Sequence, residues 1–108
     1  HLYMMGNRGL SRAKVHPNGD LGPTEVIAPM NGGGEHGPHS IVVSPDGKSL
    51  YVIAGNMTQP PKYQKTRIRD NWKDDYLLQN YAYGHNGNGK APGGWVLKVS
   101  PDGKERES

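Results

Sequence analysis

The pentapeptide Ser-Pro-Asp-Gly-Lys occurs twice in this chain, at residues 44–48 and again at residues 100–104. A looser copy, His-Pro-Asn-Gly-Asp, occupies residues 16–20. Glycine in such a turn adopts positive φ without a steric cost, so each copy between apolar segments predicts a tight turn joining antiparallel strands. The recurrence of one turn therefore predicts a fold built from repeated hairpins.

The segments that flank these turns are short, apolar and rich in β-branched residues, which is typical of strands. The clearest hairpin covers residues 40–54, with residues 40–44 paired to residues 49–54. Further elements are predicted as strands at residues 2–5, 10–15, 25–28 and 95–99, a turn at 17–20, a loop at 58–65 and one or two helical turns within 72–83. The two close copies of the turn lie further apart than one repeat of about 40–45 residues. We therefore expect an irregular loop insertion at residues 57–90.

Composition supports an all-β chain. The 108 residues include 16 Gly and 9 Pro, and only 32% are hydrophobic. Such a chain favours turns and strands and has little apolar material for a core of its own. The absence of Cys excludes disulfides and cysteine-ligated zinc, iron–sulfur or c-type haem sites in this sequence. No run of 18 apolar residues exists, so no membrane span is predicted.

Residues 32–56 resemble the sheet core of soluble pyrroloquinoline-quinone (PQQ)-dependent sugar dehydrogenases and their glucose/sorbosone dehydrogenase relatives. The features that carry the resemblance are His36 at the entrance to a strand, the Pro-Asp-Gly turn at 45–47, the tyrosine-containing strand at 50–53 and Gly55-Asn56. Residues 91–104 resemble the next family strand and its own Asp-Gly turn.

The resemblance implies a β-propeller, which needs about four to eight four-stranded blades. At about 40–45 residues a blade, this chain supplies about two. We therefore expect residues 1–108 to form an incomplete propeller segment of a longer protein. Its partners would be the remainder of the propeller or other copies of the chain. The family also implies a periplasmic or extracellular location.

The resemblance further implies a quinone-dependent sugar or alcohol dehydrogenase as the parent protein, in which this segment alone would be inactive. His36 matches the general base that removes the hydroxyl proton of a small sugar or alcohol while hydride passes to PQQ. Glu35 and Asn56 match positions near the cofactor, so Glu35, His36 and Asn56 are expected to contact PQQ. His39 stands where the family has glycine. Calcium is expected only in the remainder of the parent protein.

Two alternatives remain open from the residues themselves. The chain suits a non-catalytic propeller segment that serves as a scaffold or binds protein or carbohydrate. Glu35, His36 and His39 are also suitable zinc or copper ligands, with His16 and His85 as candidates to complete such a site. No fourth ligand is close in sequence, so we predict no metal site.

The chain carries a formal net charge of +3, and its basic residues are densest at residues 62–73, among aromatic residues. Basic and aromatic residues together suit single-stranded nucleic acid. Asp70, Asp74 and Asp75 lie in or beside the same segment and balance its charge. We therefore expect a solvated loop and no nucleic-acid partner.

Overall fold

The structure is a computed structural model that describes residues 1–55, 58–66 and 94–108. This part of the chain contains nine strands and one 3-10 turn. In chain order they are β1 (Leu2–Gly6), β2 (Gly9–Ala13), β3 (Glu25–Pro29), β4 (Asn31–Gly32), the 3-10 turn (Gly34–His36), β5 (Pro38–Val43), β6 (Leu50–Gly55), β7 (Thr58–Gln59), β8 (Gly94–Val99) and β9 (Arg106–Glu107). The chain is all-β, as its composition predicts.

The strands form three antiparallel sheets. The first has three strands in the order β1-β2-β3, and the second has four in the order β5-β6-β8-β9. A small third sheet pairs β4 with β7. Within the described residues the sheets do not close into a barrel or a propeller, and the propeller stays a prediction.

The core lies between the first and second sheets. Every second residue of β6 and β8 faces inward, which is the period that places side chains on one face of a strand. The register pairs Val52 with Leu97 and Leu50 with Val99. The fully or nearly buried side chains of this core are Leu10, Ile27, Ala28, Met30, Leu50, Val52, Leu97 and Val99. The core therefore draws on both sheets.

The opposite face of the four-stranded sheet is exposed and apolar. The register places Ile53 between Ser40 and Val96, and Tyr51 between Val42 and Lys98. Val42 is 50% exposed, Ile53 is 36% exposed and Val96 is 52% exposed. We call Val42, Tyr51, Ile53 and Val96 the outer face. Both faces of this sheet thus carry apolar side chains, although only one is covered within the described residues.

The repeated turns adopt one structure. In each turn, the backbone amide of the leading serine donates a hydrogen bond across the turn. Ser44 donates to the Ser49 carbonyl and Ser100 donates to the Glu105 carbonyl, both at 2.9 Å. Gly47 and Gly103 both have positive φ, at 70° and 78°. The predicted hairpin at residues 40–54 is therefore confirmed, with Ser40 opposite Ile53 and Val43 opposite Leu50.

The other predicted strands are also present. They correspond to β1, β2, β3 and β8, although β2 ends at Ala13 instead of continuing to residue 15. Val15 instead forms an isolated bridge with Leu21 across the turn at residues 17–20.

The predicted loop at residues 58–65 contains more pairing than its sequence indicates. Thr58 and Gln59 form β7, and Lys65 forms a parallel bridge with Glu107 at the edge of the second sheet. The predicted helical turns at 72–83 lie outside the described residues. In the described part of the chain no helix is long and apolar enough to cross a membrane.

Candidate functional site

His36 lies on the 3-10 turn that connects the two large sheets. The turn begins at the third of three consecutive glycines, and the Gly37 amide closes it by donating to the Gly34 carbonyl at 3.2 Å. The Gly55 amide then donates to the Gly37 carbonyl at 3.1 Å, which attaches the turn to the end of β6. His36 is half-buried and Glu35 is exposed. The turn thus holds both predicted site residues in one fixed place.

Gly55 explains how the turn can approach β6 so closely. A Cβ added to Gly55 would lie 2.6 Å from the carbonyl oxygen and 2.9 Å from the Cα of His36. Contacts this short do not occur for real Cβ atoms, so only glycine permits the approach. Gly55, the glycine of the predicted Gly-Asn strand end, therefore has a structural role. Asn56, the third predicted cofactor contact, lies outside the described residues.

His39 lies at an irregularity in β5. Pro38 pairs with Ala54 and Ser40 pairs with Ile53, so His39 is an extra residue in the ladder and forms a bulge. Its side chain is exposed. One imidazole therefore lies on the connecting turn and the other on the edge strand β5.

The metal alternative finds no support in the described residues. No three His, Asp or Glu side chains among residues 1–55, 58–66 and 94–108 converge as a metal site would require. Glu35, His36 and His39 are therefore not assembled into such a site with His16. His85, the other candidate ligand, lies outside the described residues.

The β1–β2 turn adds two residues to the His36 end of the molecule. The Met30 amide donates to the Arg8 carbonyl at 3.1 Å. A Cβ added to Gly33 would lie 3.6 Å from Oδ1 of Asn7. Asn7 and Arg8 were not identified from the sequence, because only the pairing of β2 with β3 brings their turn to the glycine segment.

A second candidate site lies at the other end of β6, where the two serine turns meet. It is a cavity of about 370 Å³. Its walls are Lys48, Ser49, Gln64, Lys65, Lys98, Ser100, Glu105, Arg106 and Glu107. We call it the turn cleft. The sequence offered one signal for it, since both copies of the repeated turn supply wall residues, but the contribution of residues 64 and 65 depends on long-range pairing.

The aspartates of the two turns are held as anions by the turns themselves. The Ser44 hydroxyl donates to Oδ1 of Asp46 at 2.5 Å, and the Lys48 amide donates to the same oxygen at 3.0 Å. Ser100 and Lys104 do the same for Asp102, at 2.6 and 3.0 Å. Hydrogen bonds to a carboxylate stabilise its charged form and so lower its pKa. The pKa of each aspartate is lowered most by the serine hydroxyl and next by the backbone amide.

Arg106 joins the cleft to the first sheet through backbone carbonyls. Its Nε donates to Gly103 at 2.8 Å, its Nη1 to Lys62 at 3.1 Å and its Nη2 to Ile27 at 3.0 Å. The side chain of Gln64 adds two more bonds across the cleft. Its Nε2 donates to the Lys104 carbonyl and its Oε1 accepts from the backbone amide of Arg106, both at 2.8 Å. These bonds fix the walls of the turn cleft.

Searches against protein-family models, curated proteins and solved structures find no match to this chain.

Proposed function

We propose that this chain is a scaffolding segment of a β-propeller, in which it supplies three strands of one blade and the four strands of the next. The strand order within each large sheet follows the chain order, and neighbouring strands are antiparallel. A propeller blade is a four-stranded sheet, and blades are repeated around a central axis. Two consecutive sheets packed face to face are consistent with two neighbouring blades.

The outer face is the observation that carries this proposal. In a propeller each blade packs a sheet face against the blade on either side, so both faces are apolar. The second sheet buries Val52 and Leu97 on one face and presents Val42, Ile53 and Val96 on the other. Contiguous exposed apolar side chains mark interaction surfaces. The occupant that fits is a further antiparallel sheet of the same propeller, because the covered face of this sheet is already packed by one.

The experiment is to measure the association state and the melting of the 108-residue chain. An isolated segment with an uncovered apolar face and free strand edges is expected to associate with increasing concentration and to melt broadly. Sedimentation velocity and differential scanning calorimetry report these two properties. A monomer that melts in one sharp, cooperative transition at all concentrations would show that the chain is a complete folding unit and would overturn the proposal.

A quinone-dependent sugar or alcohol dehydrogenase is the second candidate for the parent protein. The observation that favours it is the rigid placement of His36, whose backbone lies against Gly55 on a closed 3-10 turn. A general base must be held within hydrogen-bond reach of the proton that it removes. A quinone with several carboxylates also needs cationic neighbours, and Arg8 is a cationic residue on the turn beside Gly33. PQQ would supply the redox chemistry, and His36 would take the proton.

The dehydrogenase candidate is tested with His36→Ala in the parent protein, with His39→Ala as the matched control. We expect the first variant to lower turnover about 10²–10⁴-fold, as loss of a general base does, with folding unchanged. The second should leave turnover near the wild-type value, because His39 lies in an exposed bulge. The assay uses added PQQ and an artificial electron acceptor. Wild-type turnover in His36→Ala, or no PQQ binding, excludes this candidate and leaves the scaffold.

A further inference from the structure

We propose that the turn cleft binds a small anion that also carries hydroxyl groups, of the class of a phosphorylated monosaccharide. The cleft is large enough, since a volume of about 370 Å³ lies within the range of small-molecule sites. It lies at the opposite end of β6 from His36, because Lys48 and Ser49 directly precede this strand and Gly55 ends it. The site is therefore distinct from the one around the 3-10 turn.

The first argument is that the cleft is built before any ligand arrives. Arg106 and Gln64 bond to the backbone on both sides of it, so no wall has to move for the cavity to exist. The backbone amide of Gln64 also donates to the Arg106 carbonyl at 3.0 Å, and the backbone amide of Ser108 donates to the Lys65 carbonyl at 3.0 Å. A preformed site avoids the entropy cost of ordering its own walls on binding.

The second argument is charge. Four cationic side chains and two carboxylates line the cleft. The guanidinium of Arg106 is bonded to three neutral carbonyls, so its charge is not cancelled by those bonds. Lys48, Lys65 and Lys98 add three ammonium groups to the same wall, and Lys98 also feels the charge of Asp46. Cationic side chains thus outnumber carboxylates around the cleft, which favours an anion.

The third argument is the carboxylate of Glu105, which selects among anions. Glu105 lies on the cleft wall with the lysines. A carboxylate accepts hydrogen bonds from hydroxyl groups and repels bare anions. A ligand with a phosphate at one end and hydroxyl groups at the other suits both the lysines and Glu105.

The test compares three probes by isothermal titration calorimetry with the whole 108-residue chain: glucose 6-phosphate, inorganic phosphate and glucose. We expect glucose 6-phosphate to bind most tightly and the other two much more weakly. The absence of glucose 6-phosphate binding at millimolar concentration would overturn the proposal. Equal binding of inorganic phosphate and glucose 6-phosphate would also overturn it, because the hydroxyl groups would then contribute nothing.

Substitutions assign the binding to the cleft. Lys65→Gln and Lys98→Gln should each weaken glucose 6-phosphate binding about tenfold or more, as loss of a charge-assisted hydrogen bond does. Lys14→Gln is the matched control, because Lys14 is an exposed lysine outside the cleft. Circular dichroism checks that each variant keeps the fold of the parent chain. Equal affinity in the cleft variants and the Lys14 control would place the binding elsewhere and overturn the proposal.

Glu105→Gln tests recognition of the hydroxyl groups of the ligand separately from recognition of its phosphate. Removing this carboxylate should strengthen inorganic phosphate binding, because repulsion is relieved, and should weaken the preference for glucose 6-phosphate over phosphate. An unchanged preference would overturn the role assigned to Glu105.

Discussion

Ser44 and Ser100 each use one hydroxyl twice, donating to an aspartate two residues later and accepting an amide five residues later. The second bonds run from the Ser49 amide at 2.9 Å and from the Glu105 amide at 3.0 Å. Serine and aspartate favour turns because their short side chains bond to the local backbone in this way. The two copies have nearly identical geometry at two distant places, so each serves as a control for the other.

The turn aspartates give a pH dependence with a definite sign. Both have a pKa lowered in the folded chain by the serine hydroxyl and the backbone amide. A lowered folded pKa adds stability above the unfolded value, about 3.9 for Asp, and that stability is lost as the pH falls through the folded pKa. We expect urea midpoints to drop below about pH 4. Asp46→Asn and Asp102→Asn together should flatten this drop, and an equally steep drop in the double variant would contradict this prediction.

The two turn glycines test backbone strain separately from packing. A Cβ on Gly47 would meet nothing within 4 Å, whereas a Cβ on Gly103 would clash with the Ile27 carbonyl. Gly47→Val should therefore cost about 1–2 kcal/mol through its positive φ alone. Gly103→Val should cost about 2–5 kcal/mol, because overpacking adds to the strain. Urea unfolding followed by circular dichroism measures both, and equal losses would refute this difference.

At the scale of elements, β9 is held less by its own ladder than by side chains. It is two residues long, and Arg106 connects it to carbonyls of the first sheet and of the segment after β7. Arg106→Met keeps much of the side-chain volume and removes all three bonds. We expect a loss of about 2–4 kcal/mol, because the part-buried bonds to the Gly103 and Ile27 carbonyls are lost together with the exposed bond to Lys62. Arg8→Met, on an exposed turn, is the control and should change stability little. A small effect of Arg106→Met on the free energy of unfolding would show that the three Arg106 bonds do not stabilise the fold.

The strands that the sequence predicts correctly are those whose own pattern defines them. Residues 50–55 alternate inward and outward, and the Asp-Gly turn sets their register. The short strand at Thr58–Gln59 and the bridge at Lys65 have no such pattern, because their pairing is decided by partners far away in the chain. The bulge at His39 is of the same kind, since it depends on how β5 meets β6. For this reason the sequence indicated the His36 turn but not the turn cleft.

At the scale of the whole molecule, the outer face is the surface through which we expect the chain to associate. Val96→Lys places a charge at its centre, beside Ile53 in the register. We expect this change to reduce self-association strongly, because a charge cannot be buried there without a partner. Val26→Lys is the matched control, since Val26 is a valine of similar exposure, 42%, on the first sheet. Sedimentation velocity compares the two variants, and equal association would exclude the outer face as the interface.

Repetition of turns and strands does not by itself show how sheets close. A repeated hairpin predicts the sheets and their apolar faces. Closure into a propeller would depend on what packs against the outer face. The sequence therefore predicts an all-β chain with paired sheets, and the closed propeller stays a prediction.

The indole of Trp95 donates to the Thr58 carbonyl at 2.8 Å, and Lys65 is bridged to Glu107. Both pairings join the chain on one side of residues 67–93 to the chain on the other. The chain segments that flank this stretch, residues 58–66 and 94–108, are thus held together by direct pairings, which set their position relative to each other. A force applied to one flank would therefore pass to the other through these pairings.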